Sequence, residues 1–77
     1  MGIKHDKSTI GGRIYYARVA ADMTQKEVAA KLHVSQTTVK NWERNKNRPS
    51  LYGIATIAKV LGVTVKELEK GAEDANA

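Results

Sequence analysis

A polar surface that could read nucleic acid is predicted between residues 36 and 48. A helix over 36–44 would carry amides, a hydroxyl and cations on one side, and Val39 and Trp42 on the other. Amides can hydrogen-bond adenine twice, lysine reaches guanine acceptors, and a threonine methyl group can contact thymine. The pattern indicates DNA reading, although a solvated polar helix face would look the same. The polar residues of this helix are Gln36, Thr37, Lys40, Asn41 and Arg44, and the cations Lys46 and Arg48, suited to phosphates, follow in the next loop.

The sequence has few residues that could bind a metal or catalyse a reaction. There is no cysteine, and His5 and His33 lie far apart without an evident third metal ligand. No nucleophile–base pair and no phosphate-binding glycine loop is recognisable. We therefore expect no metal, no cofactor and no enzymatic activity.

The charge balance favours an anionic partner. Residues 1–48 contain ten Lys or Arg and four Asp or Glu, whereas residues 49–77 contain three and four. Nucleic acid is the commonest partner of such a basic surface, although a basic protein need not bind anything. No apolar run approaches the roughly 18 residues of a membrane span, and the N-terminus is too polar for a secretory signal. A cytoplasmic protein that does not enter a membrane is expected.

Capping residues predict five short helices. The first lies near residues 10–21, after a cap at Ser8 or Thr9. The second and fifth open with the capping boxes TQKE and TVKE, which begin at Thr24 and Thr64. Ser35 caps the third helix, near 36–44. Pro49 and Ser50 open the fourth, which ends at Gly62 in the position of a left-handed cap.

The apolar residues of these helices predict one core. Helical periodicity places one apolar stripe on each helix. The predicted inward residues are Ile10, Ile14, Ala17 and Ala21 in the first helix, Val28, Ala29 and Leu32 in the second, and Leu51, Ile54, Ala55, Ala58 and Leu61 in the fourth. Short links between short helices predict an all-α bundle, in which the second and third helices have helix-turn-helix spacing. We expect a domain over 9–70, between a flexible basic tail at 1–8 and a flexible tail at 71–77.

Residues 10–63 resemble the phage repressor and Cro type of helix-turn-helix, the lambda-repressor-like or XRE family. The segments that carry the likeness are MTQKEVAAKL, VSQTTVKNWE and LGV, in the order and spacing of that family. The resemblance implies that the helix at 36–44 enters the major groove while the preceding helix packs across the DNA backbone. It further implies a sequence-specific transcriptional regulator of bacterial or phage origin.

The resemblance also assigns roles by position. Gln25 matches a residue that anchors a phosphate at a helix N-terminus. The base-reading positions are Gln36, Thr37, Lys40 and Asn41, while Trp42 matches a core position. Arg18 and Glu43 match a salt bridge between the first and third helices. Both also lie beside the apolar stripes of their helices, where partly buried charges need partners.

Three departures from the family pattern share one explanation. The family places glycine in the turn between the second and third helices, where this chain has His33, and also after the first and third helices, where it has Asp22 and Asn45. Asn, Asp and His are the side chains most enriched at positive φ. The three residues are therefore predicted to be glycine replacements in left-handed turns.

Two questions about partners stay open at this level. The chain could instead be a module whose main partner is a protein, such as an antitoxin, or a non-specific nucleic-acid binder. A single helix-turn-helix of this size reads too few base pairs to specify one site in a genome. We therefore expect a weak homodimer on a near-palindromic operator. Val65 and Leu68 are the candidate interface. Alternatively, both only close the core, or Leu68 lies in the core and Val65 at the rim of an interface.

Overall fold

A computed structural model describes residues 4–69 as a bundle of short helices. The helices are α1 (Ile10–Ala20), α2 (Gln25–Leu32), α3 (Gln36–Glu43) and α4 (Leu51–Leu61). A fifth helix, α5, covers 65–69 at the end of the described part of the chain, in which no strand occurs. The predicted all-α bundle of five helices is confirmed. The tail predicted at 71–77 lies outside the described residues.

Each helix begins at a side chain that accepts a backbone N–H. Thr9, Thr24, Ser35 and Ser50 cap α1 to α4 and accept from the residue three positions later. The two capping boxes are also present. Thr24 N donates to Glu27 Oε1 at 2.8 Å, and Thr64 N donates to Glu67 Oε2 at 2.7 Å. The local sequence signals therefore place the helix starts correctly.

The predicted left-handed positions are confirmed. Asp22, His33 and Asn45 have φ values of 58°, 59° and 61°, and Gly62 has 73°. Each lies just after a helix, where a positive φ lets the chain leave while its N–H groups satisfy the last helical carbonyls. Val34 N, for example, donates to Ala29 O at 3.0 Å across the turn at His33.

The core lies between α1, α2, α3 and the two C-terminal helices. Its fully enclosed side chains are Ile14, Val28, Val39, Glu43, Ile54, Ile57 and Leu68. Two predicted positions in α4 are wrong: Leu51 is 77% exposed, and Ala55 is also exposed. The buried stripe centres between Ile54 and Ile57, so Ala55 falls about 100° to one side. Leu51 stands in the first turn, at the edge of the bundle.

The fifth helix corrects the predicted interface. Leu68 is only 1% exposed and belongs to the core, so it is not available to a second copy of the chain. Val65, one turn earlier, is 38% exposed. The same apolar pair therefore divides between the core and the surface.

Residues 4–8 cross the N-terminal end of α1. Asp6 O accepts hydrogen bonds from the backbone and hydroxyl of Thr9, and an added Cβ at Gly12 would collide with the Asp6 backbone. Gly11 allows a similar close approach to Trp42 O at the end of α3. We propose that the compact domain begins near His5, ahead of the boundary predicted at residue 9. None of the helices within 4–69 has the length and apolar character needed to cross a membrane.

Candidate nucleic-acid interface

The α2–turn–α3 unit presents one side of α3 outward. The two helices pack on each other, and α3 also packs on α1. Val39 is 0% exposed and Trp42 is packed against the core, so their side of α3 is closed. The opposite side is open. Gln36, Thr37, Lys40 and Arg44 are exposed there, and Asn41 is half-buried.

The loop after α3 extends this polar surface. Asn41 O accepts from Lys46 N at 2.9 Å, which folds the loop back against the last turn of α3. Lys46 and Arg48 are both exposed. The structure thus joins the predicted base-reading residues and the loop cations Arg44 and Lys46 in one surface.

Arg48 has a partner that sequence reasoning missed. Its Nη2 atom lies 3.6 Å from Glu69 Oε2 of α5. The pair is exposed on the Arg48 side, so its contribution to stability is small. Its consequence is geometric, because it draws Arg48 towards α5 and places a carboxylate beside a predicted phosphate contact. The two residues are 21 positions apart in the sequence, and no local pattern indicated the pair.

Glu43 joins three helices at the inner end of the site. Its carboxylate is 0% exposed and accepts from Arg18 Nε at 2.6 Å and from Arg18 Nη2 at 3.2 Å. This is the predicted ion pair. Two bonds to one carboxylate hold the α1–α3 crossing in a defined geometry. Arg18 Nη1 also donates to Met23 O at 2.8 Å, so the guanidinium fixes the loop into α2 as well.

Gln25 belongs to the same network. Its Nε2 atom donates to Glu43 Oε1 at 2.9 Å, a contact that the sequence did not indicate. One amide proton is thereby used inside the protein, and the half-buried side chain is held beside the N-terminus of α2. The phosphate contact assigned to Gln25 remains a prediction, now with a side chain whose orientation is set by Glu43.

The starts of α2 and α3 border one shallow cleft. It has a volume of about 420 Å³, and its lining includes Thr24, Gln25 and Gln36. Two helix N-termini at one surface favour negative charge. The Asp22 side chain also lines the cleft, and the Glu27 carboxylate is occupied in its capping box, where the N–H of Thr24 lowers the Glu27 pKa. Within residues 4–69 no group of three His, Cys, Asp or Glu side chains could hold a metal ion.

Comparison with known proteins identifies the family. The model of a helix-turn-helix family matches residues 14–68, which include all of α2, α3 and α4 and most of α1 and α5. The chain belongs to this helix-turn-helix family. The match is to the lambda-repressor-like, XRE type, so the resemblance seen in the sequence is confirmed.

Relatives of this helix-turn-helix protein include named regulators. The HTH-type transcriptional activator BcrR of Enterococcus faecalis is 33% identical over 61 residues, which cover 79% of this chain and 30% of BcrR. The HTH-type transcriptional regulator DicA of Escherichia coli K12 is 35% identical over 66 residues, which cover 86% of this chain and 49% of DicA. This chain therefore spans less than half of either relative.

Solved structures share the fold. The biofilm master regulator SinR, in complex with DNA, has a TM-score of 0.72 and 31% identity over 78% of this chain and 97% of that one. SinR in complex with the SinI protein has a TM-score of 0.71 and 28% identity over 90% of this chain and 80% of that one. The same fold has thus been solved with a DNA partner and with a protein partner.

Proposed function

We propose that this protein is a sequence-specific double-stranded DNA-binding transcriptional regulator rather than an enzyme, acting in the cytoplasm of a bacterium or a phage-infected cell. The observation that carries the proposal is the division of α3. Val39 closes its inner side completely, whereas Gln36, Thr37 and Lys40 are exposed on the outer side of a helix-turn-helix. The DNA complex of SinR, which shares this fold, supports it.

In the proposed complex, α3 lies in the major groove. Gln36, Thr37, Lys40 and Asn41 face base edges, where amide and ammonium groups discriminate base pairs. Arg44, Lys46, Arg48 and Gln25 approach phosphates, which set affinity and register without reading sequence. For Arg48 the approach requires that phosphate compete with Glu69.

The test is a substitution in the reading helix. A preferred duplex would first be selected from random sequences. Gln36→Ala should then weaken binding to that duplex by about 1–3 kcal/mol and relax the preference at one or two base pairs. Lys59→Ala, an exposed change on α4, is the matched control and should leave the preference unchanged. A Gln36→Ala protein with unaltered affinity and preference would show that α3 does not read DNA.

We further propose that two copies bind together on a near-palindromic operator. Exposed apolar side chains on α4 and α5 support this, since Leu51, Tyr52 and Val65 are 77%, 83% and 38% exposed. Two recognition helices would be about 34 Å apart, one turn of DNA.

Sedimentation with the selected duplex tests the dimer. We expect two proteins for each duplex and a symmetric footprint, with little dimer in the absence of DNA. Tyr52→Lys should lower the cooperativity of binding and leave the half-site preference intact. One protein for each duplex, with a footprint of about half a helical turn, would contradict the dimer.

A protein partner is the second candidate function. It is favoured by the same exposed Leu51 and Tyr52 and by the SinR–SinI complex, in which a protein of this fold binds another protein. Duplex selection separates the two functions. An antitoxin-like module whose main partner is a protein would yield no enriched duplex, whereas the leading proposal requires one.

A further inference from the structure

The last carbonyl of the recognition helix is held by the N-terminal segment. His5 Nδ1 lies 3.3 Å from Glu43 O, and a carbonyl can only accept, so Nδ1 is the donor. No backbone N–H of residues 4–69 donates to this carbonyl, because the next loop turns back to Asn41 O and Trp42 O instead. The imidazole therefore takes the place of the missing partner at the C-terminus of α3.

His5 itself is held in place by α1. Its ring stacks on Tyr15, with centroids 3.7 Å apart and planes 7° from parallel, and Tyr16 Oη donates to His5 O at 3.3 Å. Arg18 lies against the same Tyr15 ring, 5.3 Å from its centroid, and pairs with the Glu43 carboxylate. These contacts form a closed network, in which each residue touches the next: His5, Tyr15, Arg18 and Glu43. Glu43 is fixed at its main chain by one member and at its side chain by another.

This network ends at Glu43, directly before the residues proposed to contact phosphates. Arg44 directly follows Glu43, and Lys46 and Arg48 follow in the loop. We infer that His5 is a positioning residue for DNA binding: by capping α3 it sets the direction in which the chain leaves the helix, and hence the placement of these cations on the phosphates. The inference rests on the proposed DNA-binding function and adds to it a residue outside the helix-turn-helix.

Three substitutions separate the contribution of the His5 hydrogen bond from that of its stacked ring. His5→Phe keeps a ring for stacking and removes the donor. His5→Asn keeps a donor where Nδ1 lies and removes the ring. His33→Asn is the matched control, because it removes the other histidine of the chain and keeps a residue that tolerates positive φ.

Affinities for the selected duplex and for an unrelated duplex would be measured at fixed pH and salt, and at a temperature where circular dichroism shows every variant folded. His5→Phe should weaken binding to both duplexes by about two- to tenfold, the value of one hydrogen bond, because the phosphate contacts that it positions do not depend on sequence. His5→Asn should recover part of that loss. His33→Asn should bind both duplexes as the parent does.

Two results would overturn the inference. One is a folded His5→Phe protein that binds both duplexes as the parent does, and the other is an equal loss of affinity in the control His33→Asn. A parent protein that binds no duplex would overturn the proposed function and, with it, the role of His5 in DNA binding. The contact itself is tested without DNA, because the amide NMR signals of Arg44 and Asn45 should shift in His5→Phe and keep the positions of the parent protein in His33→Asn.

Discussion

Side chains at left-handed positions show how individual residues carry the turns of this fold. His33 has φ 59° and ψ 41° at the end of α2, where the family places glycine. A histidine there adds some strain to the folded chain but leaves the unfolded chain with less freedom than glycine would. The two effects oppose each other, which explains why a side chain is tolerated.

Substitutions at His33 test that balance. His33→Gly should retain the fold and change the free energy of unfolding by less than about 1 kcal/mol. His33→Val should be clearly more destabilising, because a β-branched side chain resists positive φ. Urea denaturation measures both. Equal stability of the Gly and Val variants would show that the turn does not depend on its backbone conformation.

Glu43 is the residue of the site whose loss should lower the free energy of unfolding most. Its carboxylate is 0% exposed, and the Arg18 side chain is 13% exposed. Glu43→Ala should destabilise the protein by about 3–5 kcal/mol, since it leaves the guanidinium buried without its partner. Thermal denaturation of this variant would show a large fall in Tm.

A double-mutant cycle isolates the pair from other effects of truncation. Replacing Arg18 and Glu43 together by Met and Leu should cost less than Glu43→Ala alone, because no charge is then left buried. If the effects of the single changes simply add, the two residues do not interact energetically. Gln25, which also bonds Glu43, should be retained in all four proteins.

At the scale of elements, the capping box of α2 makes the stability of the fold depend on pH. The capping box of α2 lowers the Glu27 pKa in the folded protein below its ordinary value of 4.5, chiefly through the N–H of Thr24. The unfolded chain therefore binds more protons than the folded one in this range. The stabilisation is complete above the ordinary glutamate value and is lost as the pH falls through the lower folded value.

Glu27→Gln tests this contribution, because the amide can still accept from Thr24 but does not titrate. Between pH 6 and pH 3 the stability of the parent should fall more steeply than that of the variant. Urea unfolding at a series of pH values provides both curves, and the difference between them removes the contributions of other carboxylates. Parallel curves would mean that the capping box has no linkage to pH.

The helix α4 illustrates where periodicity fails. Ile54, Ala58 and Leu61 are buried as predicted, but Leu51 and Ala55 are not, and Ile57 is. A helical wheel gives the direction in which each side chain leaves the helix. Burial also requires a neighbouring element at that height along the helix axis. The edge of the bundle thus leaves Leu51 exposed, and with Tyr52 it becomes part of a proposed contact surface.

For the whole molecule, the excess positive charge should appear in the salt dependence of DNA binding. Each phosphate contact contributes about −0.9 to the slope of log affinity against log salt concentration. Lys46→Ala should weaken binding to all duplexes similarly and reduce the slope by about one, whereas Lys59→Ala should leave the slope unchanged. Fluorescence anisotropy titrations between low and moderate salt would measure it. A larger loss on the selected duplex than on others would move Lys46 from phosphate contact to base reading.

The sequence by itself determined the features that depend on near neighbours along the chain. The caps at Thr24, Ser35 and Ser50, and the left-handed turn at His33, are set by hydrogen bonds and backbone preferences that span a few residues. The polar side of α3 was equally readable, because helical geometry relates residues three and four apart. The Arg18–Glu43 pair was accessible for a different reason, through its match to the family pattern.

Only the tertiary structure decided the contacts between distant residues. His5 reaches Glu43 across 38 positions, and Arg48 meets Glu69 in another helix. Gly11 and Gly12, which weaken a helix when considered alone, are explained by the backbones that approach them. Which of Val65 and Leu68 enters the core was likewise undecided, because both are apolar and local spacing does not record what packs above a helix. Such contacts depend on how the helices are arranged in space, and neither periodicity nor propensity carries that information.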